Sequence, residues 1–185
     1  MSPTPAGRDP YLELGDAARQ DAEVAARSER RSRLERASEV ATWRGTLRDL
    51  AERRVPVSLR LAGGRTRRGS LVAVGADHLG VRTAAGQLVL VRLDAVRSLR
   101  PEPGLPAPTA TGDRDRVEGR HLVEVLAEFV EERARVVLGC DGWDEPLVGE
   151  LSGLGEDVLT LRVEGVDRGT VYLPLAAVTE VVAPG

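Results

Sequence analysis

Between Val55 and Pro101 the chain reads VPVSLRLAGGRTRRGSLVAVGADHLGVRTAAGQLVLVRLDAVRSLRP. Four or five short apolar runs follow one another, separated by glycine-bearing turns, and none is long or periodic enough for a helix. Val57, Leu59 and Leu61 alternate with Ser58 and Arg60, as in a half-buried strand. Gly63 and Gly64 supply a turn into a second strand, Thr66 to Val74, where the internal Gly69 predicts a bulge or sharp bend. Leu79, Val81 and Thr83 make a short third strand, Gln87 to Leu93 a fourth, and Val96 with Leu99 a fifth. Leu88, Val89, Leu90 and Val91 are apolar without a break. A strand with no wet face needs cover on both sides, so these four are a candidate assembly interface.

The flanks read differently. Three prolines mark residues 1 to about 10 as a disordered tail. No proline occurs from Tyr11 to Val55, where Ala, Arg and Glu dominate and favour helix. Ser28 to Arg36 is polar nearly all round, whereas Val40, Trp43, Leu47, Leu50 and Ala51 form an apolar helical stripe that Pro56 brings to an end. Residues 101–116 contain four prolines and read as a semi-rigid linker. A second amphipathic helix follows, with Leu122, Val125, Leu126, Phe129 and Val130 on one face.

The strand pattern then returns. Gly69, Leu71, Val74, Gly75, Asp77, Leu79, Val81 and Arg82 match Gly149, Leu151, Leu154, Gly155, Asp157, Leu159, Leu161 and Arg162 at constant offset. With two extra residues, Leu93, Ala95 and Val96 fall on Leu175, Ala177 and Val178. The expected divisions are a tail and polar helical extension over 1–36, helix plus basic barrel over 37–101, a linker over 102–117, and helix plus acidic barrel over 118–185. Units this small bury little surface alone, so they are expected to pack on each other or on a second molecule.

A helix followed by five bent strands, with glycine in the second and an L-x-A-V turn before the fifth, resembles the Sm-like fold. VSLRLAGGRTRRGSLVAVGADHLGV and QLVLVRLDAVRSLRP are similar especially to its bacterial host-factor (Hfq) branch. The resemblance implies a mainly β protein with α: two Sm-like/SH3-like five-stranded bent β-barrels in tandem, each preceded by an α-helix, plus an N-terminal polar helix. The ending Tyr172-Leu173-Pro174-Leu175-Ala176-Ala177-Val178 also resembles the PRC type of small barrel. RNA binding by a ring of barrels is the family's usual task. Its Lys-His pair would fall on Leu93-Asp94 and Leu175-Ala176, so no position carries that site over. Pro174 lacks an N–H, so a ring continued through the second barrel is not expected.

Catalysis is not expected. Cys140 is the sole cysteine, which excludes a disulfide framework and a cysteine-rich zinc site. His78 and His121 read as isolated, and CDGWDEP lacks the spacing of a calcium loop. Without lysine there is no phosphate-binding P-loop. No cofactor, metal or small-molecule substrate is expected. No membrane span or secretion signal is visible, and the expectation is a bacterial, cytoplasmic protein.

Charge narrows the partners. The formal net charge is −3, and with no Lys, Asn or Ile the 26 basic residues are all arginine, as in a GC-rich genome. Eight arginines against two aspartates leave +6 on Val55–Pro101, while three arginines against nine acids leave −6 on Ala134–Gly185. Arg65, Arg67, Arg68, Arg82 and Arg92 are the candidate patch for an acidic partner or nucleic acid, against the plainer reading of a solvated strand face. The first barrel has no aromatic residue for base stacking. Trp143, at a hairpin tip, is a candidate contact residue. The expected function is a non-catalytic assembly or adaptor module, self-associating or binding protein; the alternative is RNA or other nucleic-acid binding through the arginine-rich barrel.

Overall fold

A computed structural model describes residues 23–29, 31–32, 41–103, 119–165 and 168–183. The chain is mainly β, in one ten-stranded antiparallel sheet, with helices. Helical residues 23–29 and 31–32 come first. Helix α1 (Trp43–Glu52) precedes β1 (Pro56–Leu61), β2 (Thr66–Val74), β3 (His78–Arg82), β4 (Leu88–Arg92) and β5 (Val96–Pro101). Helix α2 (Leu122–Glu131) precedes β6 (Arg135–Cys140), β7 (Leu147–Leu154), β8 (Val158–Val163), β9 (Gly169–Pro174) and β10 (Val178–Val182). The expected tail and nearly all of the linker lie outside the described residues.

The strands run β5-β1-β2-β3-β4-β10-β6-β7-β8-β9. Neither half closes on itself: β4 does not pair with β5, nor β9 with β10. Instead β4 pairs with β10, Val89, Leu90 and Val91 lying opposite Val182, Val181 and Glu180. This pairing accounts for the unbroken apolar run. Val89 and Val91 enter a core with Leu47, Leu50, Leu59, Leu71 and Leu79. Leu90 enters a second core with Leu126, Leu138, Leu151 and Leu161, and Leu88 packs against it. Side chains alternate across a strand, so a strand between two cores must be apolar at every position.

The same local geometry appears in both halves. Leu47 and Leu50 anchor α1 in the first core, as Leu122 and Leu126 anchor α2 in the second. Arg54 and Arg133, just past the helices, both have φ of 49°. Asp77 O accepts from Leu93 N–H at 2.9 Å, and Asp157 O from Leu175 N–H at 2.8 Å. Trp43 departs from the expected stripe and is exposed. Among the described residues no helix is long and apolar enough to cross a membrane.

Gly69 and Gly149 sit where β2 and β7 press against their neighbours. A Cβ on either would overlap the carbonyl of Arg82 or Arg162 and crowd Val81 or Leu161. Gly69→Ala and Gly149→Ala should each cost about 1–3 kcal/mol, as overpacking does, read as a lower midpoint in urea unfolding.

Candidate interface between the two halves

The arginine hairpin of the first half turns inward onto the second. Arg67 grips Glu180 with two bonds, Nε to Oε2 at 2.5 Å and Nη2 to Oε1 at 2.6 Å. Arg65 adds Nη1 to Oε1 at 3.4 Å, and its Nη2 donates to the carbonyls of Trp143 (2.6 Å) and Asp144 (3.1 Å). Glu180 is 1% exposed, so its charge is buried against these forks. The Glu180 hydrogen bond, working against burial, raises the Arg67 pKa above its ordinary value. Space for this clasp comes from Gly139, whose missing Cβ would strike Arg65 and Glu180.

A second contact uses the turn Gly75–Asp77. Asp77 Oδ1 accepts from Leu122 N–H at 2.7 Å, holding the start of α2. Ala76 N–H donates to Arg120 O at 3.0 Å, and Arg44 donates to the carbonyl of Ala76. His78 Nδ1 lies 3.2 Å from Asp77 Oδ1, and His121 Nδ1 lies 3.6 Å from Oδ2. The histidines expected to be isolated therefore share one carboxylate, and His78 is buried in β3. Burial alone would raise the Asp77 carboxyl; the Leu122 N–H, then His78 and His121, outweigh it and hold the pKa below its ordinary value.

The remaining candidates divide. Arg92 pairs with Asp94 and donates to Leu175 O at 2.6 Å. Arg68 is exposed, and Arg82 is exposed and donates to Gly86 O at 3.0 Å. Leu88–Val91 are covered within the chain by β10, and Trp143 is 48% exposed at its turn. Burial pushes the Cys140 thiol up, opposed by Arg65. Among the described residues no group of three His, Cys, Asp or Glu is arranged to hold a metal.

Glu180 and Asp77 were missed by the sequence reading. A carboxylate inside the apolar run Val178–Val182 does signal a buried partner. Nothing local marks Asp77 as the cap of a helix 45 residues on.

Comparison with family models, curated proteins and solved structures finds no match for this chain.

Two outcomes follow from these contacts. Arg67→Ala leaves Glu180 buried with only Arg65 beside it and should cost about 3–5 kcal/mol, whereas Arg68→Ala should stay within about 0.5 kcal/mol; urea titration measures both. For Asp77, a depressed folded-state pKa means stability that is present above the ordinary aspartate value of 3.8 and lost as pH falls through the folded value. Asp77→Asn should therefore melt below the parent at pH 6, with the gap closing as pH falls below the ordinary aspartate value.

Proposed function

We propose that the chain is a non-catalytic protein-assembly module made of two Sm-like five-stranded units, each led by its own helix. Supporting this reading are the matching strand order of the halves, the matched glycines and the paired φ values at Arg54 and Arg133. The observation that carries it is the pairing of β4 with β10, the fourth strand of one unit against the fifth of the other. Among the described residues the same joint applied again finds both its members open, since β9 and β5 are the two ends of the sheet. Open edges take up an extended strand through main-chain hydrogen bonds.

Val171, Tyr172 and Leu173 stand in β9 where Val89, Leu90 and Val91 stand in β4. Pro174 then corresponds to Arg92, one position past the paired residues, so its missing N–H does not interrupt that register. Opposite charge on the halves favours head-to-tail addition of a second copy over like-to-like contact. The nucleic-acid alternative loses three of its five candidates, because Arg65, Arg67 and Arg92 are already bonded to the second half.

Light scattering after size exclusion, over a concentration and salt series, tests the reading. The mass should exceed one chain at low salt and high concentration. Tyr172→Lys, which places a charge on the edge at a residue 70% exposed, should bring it back to one chain. A single-chain mass under every condition would count against self-assembly.

A further inference from the structure

The cleft beside β2 and β3 lies apart from the clasp. Arg54 and Arg82, with Ser70 and Thr83, line an open cleft of about 720 Å3. Ser70 lies directly opposite Arg82 across the β2–β3 pair. Among the described residues neither arginine has a carboxylate partner; Arg82 is held only by its bond to the Gly86 carbonyl. Thr83 Oγ1 is buried and has no hydrogen-bond partner, an arrangement that costs free energy unless something fills it. The cleft thus gathers guanidinium and hydroxyl donors with no carboxylate among the described residues that line it.

The second half shows what such a place takes. Glu150 stands opposite Arg162 in the register that Ser70 and Arg82 occupy. Its Oε1 lies 3.5 Å from Arg162 Nη1, an ion pair with a carboxylate of its own chain in which that buried oxygen makes no hydrogen bond. Beside Arg162 is Val163, where the first half has the hydroxyl of Thr83. One half supplies its own anion, and the other replaces that anion with a hydroxyl and adds a second donor.

We propose that the cleft bounded by Arg54, Ser70, Arg82 and Thr83 binds an oxyanion of the phosphate class. The planar fork of arginine donates two parallel bonds to such a group, and the hydroxyls satisfy its remaining lone pairs. The site is independent of sheet-edge assembly and uses none of the residues placed in it.

Titration of the full chain with inorganic phosphate, followed by amide NMR against a chloride control of equal ionic strength, tests the site. Saturable shifts at Ser70, Arg82 and Thr83 are expected. Arg82→Gln, at an exposed position, should weaken binding at least about tenfold, the loss of a charge-assisted hydrogen bond. Ser70→Glu should do the same by supplying the carboxylate found in the second half. Far-UV circular dichroism checks that both variants are folded, and Arg82→Gln decides if Ser70→Glu is not. A dinucleotide with one phosphodiester is the second probe: tighter inorganic phosphate assigns the site to a free phosphate or monoester, tighter dinucleotide to a diester. Shifts that match chloride, or that survive Arg82→Gln in a folded protein, would overturn the proposal.

Discussion

The pairing of β4 with β10 is the interaction on which the rest of the structure depends. It joins two five-strand runs into one sheet and places a single strand between two cores. Val89 and Val91 serve one core and Leu90 the other, so the two cannot be formed independently. Substitution at Leu90 acts on the core of the opposite half, a coupling that position along the chain does not suggest. At the same seam, Val181 belongs to the second core and Val182 packs against the first.

Electrostatics at the seam does a different job. Apolar pairing is tolerant of sliding, but Arg67 meeting Glu180 with two bonds fixes where the first half's hairpin must sit. Buried ion pairs contribute little net stability beside an apolar substitute, and their clearest use is to specify one arrangement over others. The opposite charges of the halves are partly consumed here. Arg65 and Arg67 are partly buried and committed to Glu180, which alters what the basic half can offer to any partner.

Much of the fold was legible in the sequence because its signals are local. Alternation at Val57–Leu61, glycine at Gly69 and Gly149, and the stripe of Leu47 and Leu50 each set an element within a few residues. The run Leu88–Val91 announced a strand covered twice. What covers it was not legible, since β10 lies about 90 residues away and the resemblance pointed to barrels rather than one open sheet. The clasp shows the same limit. Arg65 and Arg67 read as a surface patch because arginine is abundant throughout, and only the fold brings Glu180 to them. Asp77 reads as an ordinary turn residue until the start of α2 is laid against it.

Placing the joint between halves in the sheet alters what the stretch between Pro103 and Gly119 has to do. β4 and β10 hold the halves through backbone bonds and shared cores, so the covalent link acts chiefly by keeping their local concentration high. A chain cut there keeps β4, β10 and the described residues of both cores, so two fragments made separately are expected to re-form the pairing as complementing partners. Either fragment alone would carry the opposite liability: Leu88 and Leu90 in one, Val182 in the other, would face water with no core to enter.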